Sequence, residues 1–335
     1  MTLAAGATGT AATRILVLAA GCAALVVVAV VSVGVGAHAV APAEVVRALF
    51  GFDGSGDHTI VRDIRLPRAV VGIGAGAALG VAGALIQTLS RNPLAEPGIL
   101  GVTAGAGFAM TAGATLGPAV SPGAELALSA AGAALAALLV YSVGRTSPLR
   151  LVLTGVALSA VLSGLSLGLR LMLPDVFDRF RFWAVGSLAG REKDPVLLPL
   201  LLIAVAIAAA LLLSRPLNAV ALGDQVARTL GANVRRVRLA ALACITVLAG
   251  AATAVAGPIL FVGLIVPLAI RPLAGGSIPW LTAYAAVSGP ILLLVSDMGS
   301  RVLLPTGEVP VAIVTAFLGG PVLIWAVRRH GAGSL

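Results

Sequence analysis

The residues able to do chemistry are few, and their spacing excludes more than it offers. Lys193 is the only lysine, and it stands in Arg-Glu-Lys-Asp with no glycine loop before it. The phosphate cradle GxxxxGK[ST] is therefore missing, so the sequence predicts a chain that does not hydrolyse ATP and is not itself an enzyme. Cys22 and Cys244 fall far apart inside apolar runs, and His38, His58 and His330 are scattered singly. Such spacing points to no disulfide framework, no metal site and no cofactor. Asp297 and Glu308 lie at the ends of apolar runs, and Arg301 follows Asp297 at i+4, a spacing that permits a simple helical ion pair. A proton or sodium relay normally needs a carboxylate within a membrane span, and no run has one at its middle.

The chain that must position these groups is 59% hydrophobic and 10% charged, with a mean hydropathy of +1.08. Soluble domains carry about 25% charged residues, so the composition speaks against a cytosolic enzyme. Uncharged runs recur at 15–37, 69–90, 97–120, 126–144, 151–169, 195–214, 239–270, 277–296 and 309–327. The run 239–270 would make about 48 Å of helix, too long for one ordinary span, and Gly257-Pro258 interrupts it. It divides into 239–256 and 257–270. The expectation is an all-α polytopic membrane protein of about ten transmembrane helices, forming one domain over residues 1–335 with a cytoplasmic loop at 215–238. Ala37-His38-Ala39 resembles a signal-peptidase site, but a secretory apolar region is about 7–15 residues long and the run before it is longer. The first run is read as a retained span.

Residues 69–90 would form about 33 Å of helix, enough to cross a bilayer core. They lie between Arg65-Leu-Pro-Arg68 and Arg91-Asn92-Pro93-Leu94, and Gly72, Gly76 and Gly80 form a ladder that lets another helix approach closely. Ten spans place both termini on one side. With that side cytoplasmic, the short inner segments hold most of the arginines against only Glu96 and Asp224, whereas the outer cations sit largely in two long acid-containing segments, 38–68 and 170–194. The positive-inside rule therefore places both termini in the cytoplasm. The net charge of +9 reads as anchoring at an anionic leaflet and not as nucleic-acid binding.

Three further segments stand out. In Leu222–Gly231, LGDQVARTLG, Asp224 suits a helix start, Val226, Ala227 and Leu230 can share a face, and Gly231 suits a helix stop. It reads as a short amphipathic helix pair on the cytoplasmic surface or as an interfacial helix lying on lipid. Phe177, Phe180, Phe182 and Trp183 gather in the outer segment, as an interfacial aromatic belt or a docking surface. Finally, GPILFVGLIVPLAIR at Gly257–Arg271 is a Gly/Pro-interrupted segment of the type that lines transport pathways, and its PILFVG echoes PGILGV at Pro97–Val102. The echo suggests an internal repeat.

Six blocks, in order, carry a resemblance. They are RLPR at Arg65–Arg68, GALIQTLSRNPLAEPGILGVTAGA at Gly83–Ala106, FWAVGSLAG at Phe182–Gly190, LGDQVARTLG, GPILFVGLIVP at Gly257–Pro267 and EVPVAIVTAFLGGP at Glu308–Pro321. Through them the chain resembles the membrane permeases of ATP-binding cassette (ABC) importers for ferric siderophores, haem and vitamin B12, over about residues 15–330. The resemblance implies the type II ABC importer permease fold in a bacterial cytoplasmic membrane. Its partners would be a second permease copy, identical or not, two cytoplasmic ATP-binding subunits and an extracytoplasmic substrate-binding protein. The cargo implied is an iron chelate, foremost a ferric siderophore, with haem or cobalamin carried by the same mechanism as alternatives. An ion-coupled secondary transporter is the alternative from another class.

By the same resemblance Arg65, Arg68 and Arg301 would receive acidic residues of the binding protein. Leu222, Gly223, Asp224, Ala227, Arg228 and Gly231 would couple to the ATPase, and Asn92, Pro93 and Leu94 would close the inner end of the pathway. The chain departs from the family at Leu268, where histidine is usual, and at Ala312, where glycine is usual.

Overall fold

The computed structural model describes residues 10–36, 38, 40–115, 122–144, 148–190, 196–304 and 307–330, without the side chains of 122, 148, 149, 178–182, 329 and 330. Lys193, Phe180 and Phe182 thus lie outside what is described. The described residues are helical throughout, apart from loops and one isolated bridge between Leu304 and Gly307. The chain opens with α1 (Ala11–Gly34), its first turn capped by the Thr10 hydroxyl, which accepts the Thr13 N–H. Outside it sits a small cap of α2 (Pro42–Phe50) and α3 (Gly56–Thr59). His58 is buried there, with Nδ1 2.8 Å from Asp53 and Nε2 3.4 Å from Glu44.

From α3 the helix runs on through a π-turn at Ile60–Arg65 into α4 (Leu66–Ser90), one helical stretch of 35 residues. Pro67 accounts for the wider turn. It has no N–H for the carbonyl four residues back, and the neighbouring Leu66 N–H bonds instead to Val61, five residues back.

The remaining helices are α5 (Val102–Ala114), α6 (Pro122–Gly144), α7 (Pro148–Met172), α8 (Pro174–Ala184), α9 (Leu197–Ala221), α10 (Asp224–Thr229), α11 (Val234–Ala256), α12 (Val262–Ala274), α13 (Ile278–Val302) and α14 (Val311–His330). Among the described residues, eight helices are long and apolar enough to cross a membrane. In place of full spans at 97–120 and 257–270 stand α5 and α12, each of 13 residues and so about 20 Å long. The shortening has a local cause. The chain unwinds over Arg91–Gly101, apart from a 3₁₀ turn at Pro97–Leu100, and again over Gly257–Phe261. Each short helix starts after a residue in the left-handed region, Gly101 at φ 71° and Phe261 at φ 70°. Ile99-Leu100 and Ile259-Leu260 precede them, so the echo noticed in the sequence marks two breaks of one design.

Of the long helices α4 is central: 83% of its apolar window is buried, against 6% for α1. The glycine ladder is the reason it can be. A methyl on Gly76 would stand 2.7 Å from the Gly289 carbonyl of α13, one on Gly80 2.7 Å from the Ala285 carbonyl, and one on Gly83 would collide with the Gly263 backbone of α12. Close backbone approach on two sides makes α4 the post around which α13, α11, α12 and α9 pack.

Candidate functional site

At one end of the bundle three arginines converge on the ends of four helices. Arg68 donates to Asp297 of α13 through Nε and Nη2, the latter at 2.8 Å, and through Nη1 to Glu308 at 2.7 Å. Arg301, one turn beyond Asp297, donates to the same carboxylate and to the carbonyls of Ser32 and Val35. Arg65 donates to the carbonyls of Val33, Gly34 and His38. Two of these arginines thus cap the carbonyls left open at the end of α1, where a cation also suits the helix dipole. Asp297 is fully buried, and Arg65, Arg68 and Arg301 are only 6%, 6% and 3% exposed. The i+4 pairing allowed by spacing is present, and all three guanidiniums face inward and not onto the surface. Of the cluster only Glu308, with 40% of its side chain exposed, reaches well out.

At the opposite end α10 is bolted to the spans through one carboxylate. Asp224 accepts from Arg91, just past α4, at 3.1 Å and from Arg238 of α11 at 2.9 Å. Arg91 also donates to the Val220 carbonyl at the end of α9. The helix can start and stop so abruptly because Gly223 and Gly231 hold φ of 124° and 79°. Ala227 is fully buried under it, while Leu222, Val226 and Leu230 are 67%, 43% and 66% exposed. That corrects the shared face expected for Val226, Ala227 and Leu230. In a helix of six residues the alanine turns in, and the larger apolar residues form an outward stripe at i, i+4 and i+8. Arg228 is exposed on the same helix.

Asn92, Pro93 and Leu94 lie, half-buried, in the first break, shaped by an Asx turn in which Asn92 Oδ1 accepts the Leu94 N–H at 2.8 Å. Two links there were missed in the sequence. Glu96 accepts the Phe261 N–H at 2.5 Å, tying the first break to the second. Gln87, buried in α4, donates to the Leu264 carbonyl at 3.3 Å and accepts from Arg271 at 2.8 Å. Beside the breaks opens a cavity of about 500 Å³ whose polar side is Glu96, Ser159, Ser163, Ser166 and Arg170. Serines at 159, 163 and 166 and the arginine at 170 follow helical spacing, which would have shown this face of α7 as polar. No group of three or more metal-ligating side chains occurs among the described residues.

The model of the FecCD transport family fits residues 24–329. This chain belongs to that family. It is 48% identical over 303 residues to the ferric enterobactin transport system permease protein FepD of Escherichia coli, covering 89% of this chain and 90% of that protein. It is 38% identical to the siderophore transport system permease protein YfiZ of Bacillus subtilis, over 85% of this chain and 87% of that one. Among solved structures, a metal-chelate type ABC transporter in an inward-facing conformation superposes with a TM-score of 0.83 at 27% identity, over 93% of this chain and 99% of that chain. Leu268 and Ala312, the two positions singled out in the sequence, fall in packed places. Leu268 is buried in α12, and the Ala312 N–H donates to the Gly186 carbonyl at 3.2 Å.

Proposed function

We propose that this chain, a membrane-spanning permease of the FecCD family, admits a ferric siderophore to the cytoplasm as one of two permease copies, both termini inside. Residues 1–335 act as one permease domain without an ATP site. Two cytoplasmic ATP-binding subunits supply the energy, and an extracytoplasmic binding protein delivers the chelate. The observation that carries this reading is α10: an outward apolar stripe on a helix rigidly joined, through Asp224, to α4 and α11. A partner gripping Leu222, Val226 and Leu230 moves the post directly, and Asn92, Pro93 and Leu94, next to Arg91, move with it as the inner gate. On the other side, Arg65, Arg68 and Arg301 shape from within the platform on which the binding protein docks, and Glu308 reaches out of it.

Reconstitution with the binding protein and ATPase tests the whole. Uptake of iron siderophore into liposomes should require ATP inside and the binding protein outside. Accumulation driven by a proton or sodium gradient without ATPase would overturn it. Coupling has its own test in Ala227→Pro, which removes the 2.9 Å bond from the Ala227 N–H to Gly223 and costs a helix interior about 3 kcal/mol. Membrane insertion should survive while stimulated ATP hydrolysis and uptake fall apart. Wild-type values of both would exclude α10 as the coupling element.

A further inference from the structure

Between the ends of α4, α6, α7 and α11 that lie beside α10 is a cavity of about 280 Å³ with two unlike sides. One side is apolar, made by Leu89, Leu151 and Leu242. The other holds Arg228, Arg235 and Arg238 against a single carboxylate, Asp224. That carboxylate is already shared by Arg91 and Arg238. Among the described residues the side chains of Arg228 and Arg235 have no hydrogen-bond or ion-pair partner. The cavity therefore has an excess of positive charge, carried by two guanidiniums with unused donors.

Its depth is set by the helices around it. The ends of several membrane-crossing helices meet there, which places the charged side where headgroups lie and the leucines just inside the hydrocarbon. A ligand matching both sides needs an anionic oxygen cluster, which guanidinium binds in a fork, joined to apolar chains. A soluble anion satisfies the arginines and leaves the leucines wet. A zwitterionic lipid brings its own cation to the arginines. We infer that this cavity takes the phosphate of an anionic phospholipid from the leaflet at this end, holding a lipid against the base of α10. Basic pockets between spans are suited to such headgroups.

The test uses the permease purified with its ATPase in detergent and stripped of lipid. Phosphatidylglycerol, phosphatidylcholine and inorganic phosphate are added separately, with thermal midpoint and retained lipid by native mass spectrometry as readouts. Phosphatidylglycerol should raise the midpoint and stay bound, while the other two should do neither. Arg235→Ala, which removes a side chain unpaired in the fold, should weaken retention at least about tenfold and leave the lipid-free midpoint unchanged. Val152→Phe should weaken retention by filling the cavity without altering charge. An equal response to inorganic phosphate would make this a free-anion site and overturn the lipid assignment. Equal retention of phosphatidylcholine, or wild-type retention in Arg235→Ala, would overturn it too.

Discussion

Asp297 shows what burial in a membrane bundle demands of one carboxylate. With no exposure it has no water to bond, and Arg68 and Arg301 both donate to it while also holding Glu308 and the end of α1. Arg301→Glu would set a second carboxylate against Asp297 and free the Ser32 and Val35 carbonyls. Breaking a buried pair costs about 3–5 kcal/mol, so the expected outcome is loss of monodisperse protein in detergent. A folded Arg301→Glu chain with only its binding-protein affinity reduced would instead show that Arg301 turns outward to dock. Glu96 gives a gentler test. Glu96→Gln keeps an oxygen for the Phe261 N–H, whereas Glu96→Ala orphans it at about 1–3 kcal/mol, so the thermal midpoint should fall further for alanine than for glutamine.

Among the elements, the second break depends on a strained residue that its surroundings hold in place. Phe261 sits at φ 70°, which is costly for a bulky residue, and its ring fills the place where a side chain on Gly319 of α14 would go. Gly319→Leu would drive a branched chain into that ring and should lower both thermal stability and uptake. Gly320→Leu, next to it with open space around it, should do neither. Much of this level was legible in advance, because apolar runs, Pro-Gly punctuation and small-residue ladders are local signals. The buried glycines on α4 announce close packing, and Gly257-Pro258 announces a break. What stayed hidden depends on which helices meet. Gln87 looks ordinary inside GALIQTLSR until Arg271 and the α12 carbonyls surround it. The inward turn of Ala227 is likewise decided by what α10 rests on, and half a turn in six residues is finer than periodicity resolves.

Taken whole, the molecule leaves some helices broadly exposed: only 11% of the α7 window and 22% of the α14 window are buried. On α7 the small residues Gly164 and Gly168 face open space, and the serine face beside them walls only one side of a cavity. A second copy closing it would bring these glycines near their counterparts. Gly164→Cys should then yield a disulfide-linked dimer on mild oxidation in membranes, seen as a doubled band without reductant. No cross-link at either Gly164 or Gly168 would place the second copy elsewhere. The 35-residue stretch from Gly56 to Ser90 has a mechanical consequence. It is about 52 Å long, and tilting such a rod by about 5° swings one end by about 4.5 Å relative to the other. If a partner pulls at Arg91, a tilt of the rod carries that pull along its whole length, and the π-turn at Ile60–Arg65 is where the regular helical hydrogen bonding gives way before the far end.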